Sequence, residues 1–139
     1  MIFQQISHGI ALDWIHKKNN LKGTIHENFY EWYNHLSPPN KLSYFKTGNH
    51  NWSAAIDKEI LAVYYYTIYK DKMYDGYLVS SKPFVGKKLD TYQLHYTKSK
   101  YNWKINWTMC NTKHLKYNLR LGYKIASGPQ EDYYFMYRK

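Results

Sequence analysis

The sequence predicts an α/β domain (α+β in some schemes), and three observations carry that prediction. Residues 52–81 hold successive short runs of β-branched and aromatic residues broken by Asp-containing turns, the pattern of an antiparallel meander. Two stretches of helical periodicity precede the meander. After Pro83 the apolar period changes to that of a helix and then alternates between helix and strand as far as the C-terminus. The 139 residues contain no repeat, no low-complexity tract and no Gly- or Ser-rich linker, so residues 1–139 read as one domain.

Taken in order, Ile2–Ile6 reads as a first strand. Ser7 can cap a helix whose apolar stripe is Ile10, Leu12, Trp14 and Ile15, ending near Asn19-Asn20. A second helix is expected from Thr24, with Glu27 completing a capping box. Its aromatic stripe is Phe29, Trp32, Tyr33 and Leu36, and it stops at Pro38-Pro39. Strands are expected at 52–56 and 60–69 around a tight turn at Asp57-Lys58. Residues 71–75 are then expected to turn the chain into a strand at 76–81.

Val85, Leu89, Tyr92 and Tyr96 share one face of a helix that has Gly86 at its start and Asn102 near its end. Residues 103–110 alternate as a strand, with Trp103, Ile105, Trp107 and Met109 on one face. Residues 115–121 fit both periods. Leu115, Tyr117, Leu119 and Leu121 alternate, whereas Leu115 and Leu119 are also four apart and Gly122 suits a helix C-cap. A hairpin of 123–126 and 133–137 around Ser127-Gly128-Pro129 ends the chain.

Composition narrows the function classes. Hydrophobic residues at 44% and aromatics at 19% argue against a disordered chain. No run approaches the ~20 apolar residues of a membrane helix, and the N-terminus lacks the features of a secretory signal. Cys110 is the sole cysteine, which excludes an intramolecular disulfide and suits a reducing compartment. The seven His show no ligand spacing, so no metal is expected. A thiol ending a strand, as Cys110 does, reads as a buried side chain before it reads as a nucleophile.

The formal net charge is +10, and 18 of the 20 basic residues are Lys. With the abundant Asn, Tyr and Ile, this composition reflects AT-rich codons. The charge is uneven: residues 1–79 sum to +1 and residues 80–139 to +9. The C-terminal half therefore offers a positive field to a polyanion, either the phosphates of a nucleotide-like ligand or nucleic acid. Lysines interleaved with Tyr92, Tyr96, Tyr101 and Tyr117 could bind a single strand by phosphate attraction and base stacking. Most of these tyrosines fall on expected buried faces and Arg is nearly absent, which disfavours specific nucleic-acid recognition.

The element order β-α-α-β-β-β-α-β-α-β-β resembles that of the GNAT superfamily of N-acetyltransferases. The resemblance covers nearly the whole chain as topology and residues 76–126 as motif. It implies a mixed, mostly antiparallel central sheet flanked by helices on both faces, with acetyl-coenzyme A as acyl donor and a primary amine as acceptor. In that family a strand opens into a glycine loop whose N–H groups, at a helix start, hold the pyrophosphate. Phe84-Val85-Gly86-Lys87-Lys88-Leu89 stands there, with one glycine and a shorter loop. The resemblance thus implies cofactor binding by Leu78, Val79 and Ser80 of the fourth strand, by Val85, Gly86, Lys87 and Lys88, and by Asn111.

Asn111, Gly122 and Tyr123 have the family's Asn-to-Gly-aromatic spacing, which resolves residues 115–121 as a helix. Asn118 stands where the family's usual Tyr acid would be, and an amide cannot protonate a thiolate as a phenol can. Tyr117 is adjacent on another helical face. Neither 76–81 nor 103–110 holds a carboxylate for a general base, which leaves Tyr117 and His114 as the catalytic candidates, with His95 as a further titratable group.

A narrower pattern, W-x-x-x-W-x-x-x-N-T-x-H followed by an aliphatic helix and Gly, is similar to the acetyltransferase-like internal virion proteins of T-seven-type podoviruses. Trp103, Trp107, Asn111, Thr112, His114 and Gly122 carry it. That likeness implies a phage protein in the cytoplasm of the infected host or in the virion, partnered by internal virion proteins and not secreted. An enzyme and a catalytically silent assembly protein are then the two function classes.

Overall fold

The computed structural model describes residues 1–18 and 50–139. The helix expected from Thr24 to Pro38-Pro39 lies outside the described residues. The elements are β1 (Ile2–Ile6), α1 (His8–Lys18), β2 (Asn51–Asp57), β3 (Glu59–Tyr69), β4 (Lys72–Ser80), α2 (Val85–Tyr101), β5 (Ile105–Asn111), a 3-10 turn (Thr112–His114), α3 (Leu115–Arg120), β6 (Lys124–Gln130) and β7 (Tyr133–Arg138). The strands form one sheet in the order β1-β2-β3-β4-β5-β7-β6. Every pair is antiparallel except β4 with β5.

Alternation along the strands seats a helix on each face of this sheet. Ala54, Val63 and Tyr65 pack with Ala11 and Ile15 of α1, whereas Ala55, Ala62 and Tyr64 pack with Val85 and Leu89 of α2 on the other side. Ser7 caps α1 as its sequence suggests, its Oγ accepting from the Ile10 N–H at 3.2 Å. The α1 stripe is narrower than expected, since Ala11 and Ile15 are buried and Ile10 is exposed.

Four local expectations are corrected. In α2 the buried row continues through Gln93 and Thr97, the positions that follow Leu89 at spacings of four. Tyr92 and Tyr96 lie on its flank, half-buried and stacked on one another and on Phe3. Thr97 tolerates burial because its hydroxyl donates to the Gln93 carbonyl at 2.7 Å and accepts from Trp103 Nε1 at 2.9 Å. Strand β4 begins at Lys72, because the turn needs only Lys70 and Asp71, with Lys70 at φ +56. Asp75 is therefore a strand residue.

The third correction concerns β5, where Trp103 precedes the strand. The fully inward face is the polar one, Asn106, Thr108 and Cys110, while Ile105, Trp107 and Met109 are half-buried. The fourth concerns the hairpin, which turns at Glu131-Asp132, both with positive φ as a tight two-residue hairpin requires. Ser127-Gly128-Pro129 lies within β6, where the pairing with β7 slips.

Helix α3 ends as the glycine suggested. The Tyr123 N–H reaches the Asn118 carbonyl at 3.2 Å and the Gly122 N–H reaches the Leu119 carbonyl at 3.1 Å, the paired bonds of a Schellman turn. Gly122 has φ +95 with open space around the position of a Cβ, so backbone strain alone sets the penalty of a substitution there. Gly122→Ala is expected to lower unfolding stability by about 1 kcal/mol at unchanged m-value, read from a denaturant titration.

Candidate functional site

The parallel ladder between β4 and β5 runs only from Lys72↔Ile105 to Asp75↔Thr108. Beyond it, Tyr77 is an extra residue in β4: Tyr65 faces Gly76 and Tyr64 faces Leu78, with Tyr77 at φ +54 between them. A bulge bends its strand and re-aims the edge. The two strands diverge from this point and enclose a cleft of about 750 Å³. Leu78, Val79 and Ser80 form one wall, Met109, Cys110 and Asn111 the other, and Tyr64 and Thr108 line it at its closed end. The β5-facing backbone edge of residues 77–80 opens on this space rather than on a neighbouring strand.

At its open end the cleft meets the start of α2. Phe84 is the N-cap, in the left-handed region at φ 67, and among the described residues no side chain caps the helix. The first N–H groups are thus unpaired donors at the positive end of a helix dipole. Phe84, Gly86 and Lys87 line the cleft there; Lys82, His114 and Arg120 add basic groups to the lining, which among the described residues includes no carboxylate. A Cβ on Gly86 would sit 2.9 Å from Leu78 Cδ2 and 3.0 Å from the Tyr117 hydroxyl. A side chain here would push aside the ends of the Leu78 and Tyr117 side chains.

Of the residues singled out from sequence, Leu78, Val79, Ser80, Gly86, Lys87, Asn111, His114 and Tyr117 all line this one cleft. Val85 turns into the core beneath α2 and Lys88 is exposed outside the lining. His95 is exposed and also outside it. Tyr117 and Asn118 both reach the cleft despite their one-residue offset, because the one-and-a-half turns of α3 lie along its rim.

Asn118 is turned to the strand end, its Nδ2 donating to Cys110 Sγ at 2.8 Å. Burial pushes the Cys110 thiol up, against the pull of that hydrogen bond, so it is a poor nucleophile. Asn111 Oδ1 accepts from the Lys113 N–H at 2.9 Å and so starts the 3-10 turn that carries His114. Burial, followed by the charge of Asp90, raises the Tyr117 phenol, which stays protonated at neutral pH.

Sequence reasoning missed a buried ionic cluster behind the closed end of the cleft. Arg138 holds Asp90 of α2 through two bonds, at 3.0 and 2.7 Å. It also donates to Asn106 Oδ1 at 2.6 Å and to the Leu121 carbonyl at 2.8 Å, and its guanidinium lies 4.0 Å over the Tyr123 ring. Asp75 Oδ2 stands 3.6 Å from the same guanidinium, while its Oδ1 accepts from the Tyr123 hydroxyl at 2.6 Å. Tyr123 is hydrogen-bonded in turn to Tyr64, a cleft residue.

Two carboxylates thus share one Arg. Burial, opposed by Arg138 and assisted by Asp90, pushes Asp75 up to about 6. The only signal for this cluster was Arg138, one of two arginines in a chain of lysines, an Arg being favoured where bidentate pairing is needed. Among the described residues no group of His, Cys, Asp and Glu is arranged to hold a metal, and no described helix is long and apolar enough to cross a membrane.

No family model and no curated protein matches this chain. Solved structures do. Escherichia coli ElaA superposes over 100% of both chains with a TM-score of 0.67 at 14% identity. An aminoglycoside 6'-acetyltransferase type Ii gives 0.68 at 16% identity, over 100% of this chain and 97% of that one. Campylobacter jejuni N-acetyltransferase PseH, solved in complex with acetyl coenzyme A, gives 0.65 at 17% identity over 99% of each. The fold is therefore that of the GNAT acetyltransferases.

The Asp75 shift has a definite consequence for stability. The folded chain binds this proton up to about pH 6 and the unfolded chain only to 3.8. The contribution is full below 3.8 and is lost as pH rises through about 6. In Asp75→Asn it is absent, so the melting temperature of the variant relative to the parent should climb across that window. A difference that stays constant with pH would contradict the assignment.

Proposed function

We propose that the protein is an acetyl-coenzyme-A-dependent N-acetyltransferase acting on a primary amine. One observation carries the reading: a slot opened between parallel strands by a β-bulge ends at the uncapped start of a 17-residue helix. The helix start offers N–H donors to a diphosphate, and Lys82, Lys87 and Arg120 add charge at the same end. The unpaired backbone edge of residues 77–80 can extend a strand-like ladder to the amides of a pantetheine arm. An acyl-coenzyme A held in this way places its thioester toward the closed end, near the bulge.

The amine nitrogen then attacks the thioester carbonyl carbon, the carbon–sulfur bond breaks, the thiolate takes up a proton and the amine loses one. Positioning supplies most of the acceleration in such a direct transfer. His114 and Tyr117, the two catalytic candidates, both line the cleft, and one proton donor is enough for the departing thiolate.

A second reading is favoured by two particular residues. Asn118 bonds to Cys110 where the family's acid would stand, and Phe84 occupies a left-handed position that glycine would hold without strain. Both suit a fold retained after catalysis was lost, in a phage protein that works with internal virion proteins inside the host cell or virion. Nucleic acid is a weaker reading, because the stacked faces of Phe3, Tyr92 and Tyr96 already cover one another.

Calorimetric titration with acetyl-coenzyme A separates these readings. The enzyme reading expects saturable binding below about 1 mM ligand, and no heat at that concentration would sink it. Gly86→Val drives a branched side chain against Leu78 and the Tyr117 hydroxyl and should weaken binding about tenfold or more. Unchanged affinity in that variant would move the ligand elsewhere.

A further inference from the structure

Tyr117 belongs to α3, on the β5 side of the cleft, yet its hydroxyl ends against the first turn of α2 on the opposite side. It lies 3.0 Å from the place of a Gly86 Cβ, a point only 2.9 Å from Leu78 Cδ2 of β4. The phenol therefore bridges the mouth of the slot. None of the described residues accepts a hydrogen bond from its hydroxyl, and the nearest backbone is that of a helix start with no side-chain cap. The closed end of the slot, where the ladder stops at Asp75↔Thr108, lies on the far side of the Tyr77 bulge.

We infer that Tyr117 binds the phosphate end of the ligand and is not the proton donor of the reaction: its hydroxyl donates to a diphosphate seated on the first turn of α2. This rests on the acetyl-coenzyme A reading. It also explains how the chain manages with one glycine. A loop with several glycines surrounds a diphosphate with backbone N–H groups, whereas here a side chain from across the slot supplies a donor, and Gly86 leaves room for it. The charge-neutral phenol is protonated at the working pH, so it is a permanent donor. The task of protonating the thiolate then falls to His114 or to solvent.

The test is a set of titrations of the parent protein and Tyr117→Phe with coenzyme A, 3'-dephospho-coenzyme A and pantetheine, the last followed by competition against acetyl-coenzyme A. Loss of one hydrogen bond to a charged group should weaken both diphosphate ligands about tenfold or more. Pantetheine, which has no phosphate, should bind parent and variant equally. Equal coenzyme A affinity in the two proteins overturns the inference, and equal affinity with slower turnover makes Tyr117 the acid. An equal loss for pantetheine also overturns it, because Tyr117 would then act by packing on Leu78. If the parent binds no coenzyme A, the functional reading itself fails.

Discussion

The guanidinium of Arg138 is the constraint on which the rest of the site depends. It sits in the last strand but joins four elements that frame the cleft: α2 through Asp90, β5 through Asn106, β4 through Asp75, and the end of α3 through the Leu121 carbonyl. Burying a charge is costly unless its donors are filled, and here Arg138 has partners on each of its nitrogens. Burial works against the cation, yet Tyr123, Asp90 and Asp75 outweigh it and raise its pKa. Removing one member would strand the others in a dry interior. The two diverging strands are held at a fixed separation by polar contacts behind the point where their own ladder ends.

That arrangement explains an otherwise odd distribution of side chains. The face of the sheet beneath α2 carries Asn106, Thr108, Asp75 and Arg138, and the helix answers with Asp90, bound to Arg138 through both carboxylate oxygens. The opposite face is packed by Trp52, Ala54, Val63 and Tyr65 against α1. Directional bonds fix the rotation of α2 about its axis, and with it the aim of its first turn. An oily interface would resist sliding less well.

Much of the architecture was legible because it depends on local signals. Pro83 followed by Val85 and Leu89 marked the start of α2, Ser7 marked that of α1, and Gly122 the end of α3. What stayed hidden depends on partners far along the chain. Lys72, Met73, Tyr74 and Asp75 look like a turn by their flanking Asp and Gly residues, and become strand because β3 and β5 pair with them on either side. Tyr92 and Tyr96 carry more apolar surface than Gln93 and Thr97, but Thr97 meets the Trp103 indole and is buried in their place. The cleft residues were found by resemblance to a family's order of elements, whereas the Asp75–Arg138–Asp90 cluster joins positions 48 and 63 apart and has no local spacing to reveal it.

At the far end of the sheet, β6 is exposed along all of its seven residues. Its register against β7 breaks twice, and Pro129 brings no N–H donor to its margin. A straight edge strand invites another chain to add itself by backbone pairing. This one cannot offer an unbroken row of donors and acceptors, so the sheet terminates there. A lysine-rich chain dense in tyrosine and tryptophan is thereby protected on that side from growing into aggregates through its own sheet.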